Sequence, residues 1–156
     1  MSYTQPPHLN DDEIEEFINS AKVARICSHN KDDTIHAVPV WYYYENGVLN
    51  IGAPKNSRRV RNISRNSNVT VLIDEFGPPT RGVIIYGKAS IDEEILEETA
   101  ISIFKRYMPQ EKAKGYYKGL SEIGKWVKIT VKPFHIASFD YGKDTTYLEA
   151  TSKYTS

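Results

Sequence analysis

The chain carries 156 residues in which 20 Lys and Arg balance 20 Asp and Glu, a formal net charge of zero. Neutrality excludes a histone-like or polybasic protein that binds by wholesale neutralisation of phosphates. With 40% hydrophobic and 26% charged residues the chain reads as one soluble globular domain, and its apolar runs are too short to span a bilayer.

The opening MSYTQPPHLNDDEIEE puts acids where a signal peptide needs basic and then apolar residues, so export is not expected. A single cysteine, Cys27, forbids an internal disulfide and fits a reducing compartment, so a cytoplasmic location is expected. The 11 tyrosines include the run Tyr42-Tyr43-Tyr44, and tyrosine suits strands and half-wet interfaces.

A first helix is predicted over 11–22. Asn10 or Asp11 caps it, acids fill its first turn, and Ile14, Phe17, Ile18 and Ala21 recur at helical spacing. The period then changes to a strand over 23–28, a turn over 29–33 and a second strand over 35–44. Asn46-Gly47, the strongest hairpin signal in the chain, leads into a third strand over 48–51. Residues 52–56 break the pattern before a short helix over 57–65. Strands follow over 69–74 and 82–91, separated by a loop over 76–80. Asp92 opens a helix with Ile95, Leu96, Ala100, Ile101 and Phe104 on one side, ending near Met108-Pro109. Residues 111–120 form a Lys- and Tyr-rich link with room for one helical turn. Residues 126–139 alternate as one or two strands, bent at Pro133.

Six strands with hairpin links, and helices inserted rather than alternating, argue against a doubly wound sheet. They predict a mainly β fold, a small antiparallel barrel with peripheral helices. There is no internal repeat, low-complexity tract or domain linker. The expected organisation is therefore one domain over 1–142, including the helix over 11–22, and a polar tail over 143–156.

The segment 55–65 holds five basic residues and no acid in an otherwise balanced chain. Asn56 or Ser57 would cap its helix and leave free backbone N–H groups at the start. Those donors, the positive end of the helix dipole and two adjacent arginines make a phosphate site. The competing reading of the same residues is a solvated helix whose charges aid solubility. His8, His29, His36 and His135 are scattered; Cys27 and His29 share a strand face but lack two further ligands, so no metal site is expected. No G-x-S-x-G elbow, Gly-rich dinucleotide loop or G-x-x-x-x-G-K-[ST] loop occurs. Trp41 and Trp126 are core filler or flat surfaces for an aromatic ligand.

Taken in order, Val23-Ala24-Arg25-Ile26, then His36-Ala37-Val38-Pro39-Val40-Trp41, then Ser57-Arg58-Arg59-Val60-Arg61-Asn62-Ile63 resemble the pyridoxamine 5′-phosphate oxidase-like flavoproteins. So do Arg81-Gly82-Val83-Ile84-Ile85-Tyr86-Gly87-Lys88-Ala89 and the ending from Trp126-Val127-Lys128-Ile129 through Pro133 to Phe139-Asp140, and together they cover residues 12–142. The resemblance implies a six-stranded split β-barrel that forms a homodimer and binds FMN at the subunit interface. It implies that Ser57, Arg58 and Arg59 grip the cofactor phosphate, with Arg59 where the family carries lysine. Val38, Pro39, Val40 and Trp41 would line the isoalloxazine ring, and Ile51, Gly52 and Ala53 the strand end beside the ribityl phosphate. Gly82 stands where the oxidases often carry glutamine, and Trp126 would approach the flavin from the partner chain.

The region Phe139-Asp140-Tyr141-Gly142 lacks the Arg-x-His element with which the oxidases proper hold pyridoxamine phosphate. Deazaflavin-dependent reductases share the fold and the Arg-Asn-Ile element. The expectation is an FMN-dependent oxidoreductase of a small molecule with no side-chain catalyst, since the cofactor carries the chemistry. The alternatives are a deazaflavin-dependent reductase and a non-catalytic flavin-binding module. Neither nucleic acid nor a membrane is an expected partner.

Overall fold

The computed structural model describes residues 5–155. Helix α1 (Asp11–Ser20) begins with a reciprocal cap: Glu13 N donates to Asn10 Oδ1 at 2.9 Å, and Asn10 N donates to Glu13 Oε1 at 3.1 Å. It buries Phe17 and Ile18 on the sheet and stops two residues short of the predicted end.

The strands are β1 (Ala24–His29), β2 (Ile35–Val40), β3 (Tyr43–Glu45), β4 (Val48–Pro54), β5 (Asn68–Glu75), β6 (Arg81–Asp92) and β7 (Trp126–Asp140). They form one antiparallel sheet in the order β2-β1-β5-β6-β7-β4-β3. The two edge strands, β2 and β3, are joined only by Trp41 and Tyr42, so the sheet must curl until its edges approach. That curl makes the split barrel. Among the described residues seven strands stand where six were expected, because the predicted strand over 35–44 divides at this link. Tyr42 turns inward instead of continuing the ladder: its hydroxyl lies 2.6 Å from the Ile18 carbonyl and 2.7 Å from that of Ala21.

Asn46 (φ 51°) and Gly47 (φ 77°) both adopt the left-handed conformation that the tight β3–β4 hairpin needs. The long β7 pairs with β4 at one end and with β6 along most of its length. Its register against β6 slips between His135 and Pro133, leaving Phe134 as a bulge at the predicted bend. Gly87 faces this bulge, where a Cβ would lie 2.8 Å from Val131 Cγ1 and 2.9 Å from the Lys132 carbonyl oxygen.

Helix α2 (Arg58–Arg65) matches the predicted basic helix and is anchored by Val60, Asn62 and Ile63. The helix expected from Asp92 instead begins at Glu97 (α3, Glu97–Phe104), because Asp92 remains in β6 opposite Lys128 and pairs with its ammonium at 3.0 Å. The predicted link over 111–120 is a helix of 14 residues (α4, Gln110–Ile123). Gly115 and Gly119 weaken its local helical signal. Packing outweighs that: Ala113 is fully buried, and Tyr117 and Leu120 join Ile95, Ala100, Ile103 and Phe104 in a second core. The main core lies inside the curled sheet under α1. Residues 141–152 continue as a 3-10 turn (Tyr141–Lys143) and α5 (Thr145–Ser152), whose first turn is capped by the buried Asp144 through Tyr147 N at 2.9 Å.

No helix among the described residues is long and apolar enough to cross a membrane.

Candidate functional site

The strand end of β4 delivers the chain to Ser57, the N-cap of α2. Its extended backbone suits a capping serine, yet its side chain makes no capping hydrogen bond. Ser57 Oγ and Arg59 Nε are both buried and have no hydrogen-bond partner among the described residues. Burial also pulls the Arg59 guanidinium below the usual arginine range. Buried polar atoms are rarely left unpaired, because each costs its full desolvation penalty. Both residues belong to the start of α2, where free N–H groups and the dipole favour an anion.

Arg59 opens onto a cavity of about 380 Å³ between the sheet and the α3–α4 pair. Six of the sequence-predicted residues line it: Pro39, Val40, Trp41, Gly52, Arg59 and Trp126. Trp41 stacks on Tyr107 at 4.6 Å between ring centroids and 11° between planes, while Phe104 meets it edge-on at 6.0 Å. Tyr107 is itself fixed, since its oxygen accepts from Tyr42 N and Arg106 Nη1, each at 3.2 Å. The Arg106 guanidinium covers the Tyr42 ring at 4.2 Å and donates to the carbonyls of Tyr42, Asn19 and Ala21. One cation thus holds the end of α1, the β2–β3 link and the α3–α4 connection in register. On the far wall, Trp126 Nε1 donates to the Leu120 carbonyl at 3.2 Å.

The remaining predicted residues fall elsewhere. Ile51 and Ala53 are fully buried in the main core, so only Gly52 between them faces the cavity. Val38 packs against that core. Gly82 sits on β6 opposite Phe139 and does not line the cavity; a Cβ there would lie 2.8 Å from Phe139 Cζ. Arg58 points away from Arg59, into a separate depression with Lys31, Arg61 and Arg65.

Sequence reasoning missed the wall built by Ile103, Phe104, Tyr116, Tyr117 and Leu120. Its signal was present in Ala113, Tyr117 and Leu120, which recur at i, i+4 and i+7. Lys22 also reaches the cavity, its ammonium donating to the Arg106 carbonyl at 2.7 Å. Burial, and then the Arg106 charge, lowers the Lys22 pKa.

A split β-barrel with an anion-ready helix start beside an aromatic cavity is a recognisable class of protein. Residues 10–129 match the family model described as pyridoxamine 5′-phosphate oxidase, and the chain belongs to that family. Solved structures agree on the fold. A conserved hypothetical protein from Mycobacterium tuberculosis is 23% identical, with a TM-score of 0.77 over 90% of this chain and 92% of its own. The heme storage protein HutZ of Vibrio cholerae is 15% identical, with a TM-score of 0.65 over 81% and 92%. An F420 reductase is 17% identical, with a TM-score of 0.62 over 78% and 94%. No curated protein matches the sequence.

Proposed function

We propose that this protein is an FMN-dependent oxidoreductase that acts as a homodimer. The observation that carries the reading is a pair of buried polar atoms at the start of α2, Ser57 Oγ and Arg59 Nε, that find no partner among the described residues, with Arg59 opening onto an aromatic cavity. These residues fit the group: a phosphate accepts from both and from the free N–H groups that open α2.

FMN, when bound, supplies the two-electron chemistry. Ser57 and Arg59 would hold and orient its phosphate, and Pro39 and Val40 of β2 with Gly52 of β4 would line the cavity wall beside it. Trp41, stacked on Tyr107, and Phe104 give the cavity an aromatic wall against which a flat ring can lie. Of the side chains that hold haem iron the cavity offers tyrosine, Tyr116 and Tyr117. The unpartnered donors at the start of α2 are what favour a flavin phosphate over the heme of the Vibrio relative. A deazaflavin is the second reading, supported by the same grip and by the fold shared with the F420 reductase.

The test compares FMN with riboflavin, which differs only in lacking the phosphate. Wild type is expected to prefer FMN strongly, and Arg59→Ala to weaken FMN binding by about 1.5–3 kcal/mol, roughly ten- to a hundredfold, with little effect on riboflavin. Equal affinity of wild type for the two ligands would sink the proposal. The mass and absorbance of the molecule that purifies with the protein separate FMN from a deazaflavin. Pyridoxamine phosphate is not the expected substrate. It needs its own cations, and the C-terminal strand offers Asp140, whose carboxylate instead accepts from Gly142 N at 2.7 Å.

A further inference from the structure

The basic segment that dominates the sequence is only partly used by the cavity. Successive residues of a helix point about 100° apart, so adjacent arginines need not serve one ligand. Arg59 faces the cavity, whereas Arg58, Arg61 and Arg65 follow i, i+3 and i+7 spacing along a different face. With Lys31 from the turn after β1, they surround a second depression of about 390 Å³. Its lining sets four cations against one carboxylate, that of Asp32, in a chain that is neutral overall.

Two further observations distinguish this depression from an ordinary solvated face. The first is pairing. Ion pairs among the described residues use Arg25, Lys55, Arg81, Lys128 and Lys143, and none uses Lys31, Arg58, Arg61 or Arg65. The second is rigidity. Asn62 is 3% exposed, and its amide donates to Ser28 Oγ at 3.1 Å and to Asn30 Oδ1 at 2.9 Å. Asn62 Oδ1 in turn accepts from Arg65 Nη2 at 3.1 Å, and the same Nη2 donates to the His29 carbonyl at 2.7 Å. Arg61 Nη1 is held by the Asn56 carbonyl at 2.7 Å. The guanidinium groups of Arg61 and Arg65 are therefore held by backbone and amide oxygens, no salt bridge among the described residues pairs any of the four cations, and Asp32 alone opposes them.

We propose that this depression is a second anion site, distinct from the Arg59 cavity, and that it takes a small molecule bearing a multivalent phosphoryl group. Planar guanidinium forks suit phosphoryl oxygens, and several fixed cations favour a ligand of more than one charge. The concave shape and the small number of cations fit a compact ligand better than a nucleic-acid backbone, which needs a longer basic track. The site does not depend on the flavin reading.

The experiment is calorimetric titration of inorganic tripolyphosphate into the full chain at physiological ionic strength, with and without saturating FMN. Saturable one-to-one binding is expected, weakening as salt is raised and unchanged by FMN. The exposed pair Lys31→Gln and Arg61→Gln is expected to weaken it by about tenfold per contact, roughly a hundredfold together, while leaving the FMN affinity of the protein unchanged. Circular dichroism verifies that the double variant is folded, and the salt dependence of wild type tests the site without any variant. Absence of saturable binding, competition by FMN, or full binding by the folded double variant would each overturn the proposal. So would tighter binding of a single-stranded oligonucleotide than of tripolyphosphate. If the protein takes up no FMN but binds tripolyphosphate as described, the flavin reading fails and this site stands.

Discussion

Tyr42 shows how much one side chain in this fold is asked to hold. It is fully buried, its hydroxyl meets the end of α1, and its ring carries the Arg106 guanidinium. Burial pushes its hydroxyl from the usual 10.0 up to about 12. In the unfolded chain the same group ionises near its usual value. As pH rises past that point the unfolded state releases a proton that the native state retains, so stability falls across this window. Tyr107 and Tyr44, also raised by burial, add to the decline. Urea titrations at a series of pH values are expected to show Tyr42→Phe with a flatter decline above pH ~10 than wild type. At neutral pH the same variant should cost about 1–3 kcal/mol, because the Ile18 carbonyl loses its donor. Arg106 still reaches the Ala21 carbonyl at 2.8 Å, which keeps the loss from doubling. An unchanged pH profile would show that Tyr42 ionises equally in both states.

At the scale of elements, α4 and the β6–β7 bulge use glycine in opposite ways. Gly115 and Gly119 lie within α4, and a Cβ at either meets nothing within 4 Å. Alanine at each should therefore stabilise the protein by about 0.5–1 kcal/mol, by removing freedom from the unfolded chain and raising helix propensity. Gly87 is the reverse case. A methyl group there collides with Val131 and with the Lys132 carbonyl, so Gly87→Ala should destabilise by about 1–3 kcal/mol as the strand shifts away. Denaturant midpoints of the three single variants check both signs. The helix itself was hard to see in the sequence because two glycines and a lysine-rich surface hide a narrow apolar stripe of Ala113, Tyr117 and Leu120. Where local signals were strong, at the Asn10 cap and the Asn46-Gly47 turn, sequence and structure coincide. At the start of α3 the acidic stretch resembled a helix opening, but pairing with β7 held Asp92 in the sheet.

At the scale of the whole molecule, the curl of the sheet leaves an outer face that carries Cys27, Thr70, Leu72, Ile84 and Ala137, all only partly buried. A homodimer that covers such a semi-polar face is part of the proposed function, since the family resemblance implies a flavin shared between two chains. Light scattering at micromolar concentration is expected to return twice the chain mass. A monomer that still binds FMN stoichiometrically would remove the interface from the proposal. The sequence alone determined those features that local chemistry dictates: the capped first helix, the alternating strands, the tight hairpin and the basic helix that opens with Ser57. It also carried enough ordered motifs to identify the family. Tertiary structure alone decided the break at Trp41-Tyr42, the stacking of Trp41 on Tyr107, and the divergence of Arg58 from Arg59 into two separate pockets. The physical reason is range. Capping, turn geometry and amphipathic period act over a few neighbouring residues and leave a pattern in the chain. A contact such as that between Tyr42 and Tyr107 joins residues 65 positions apart, and it exists only once the curled sheet has brought them together.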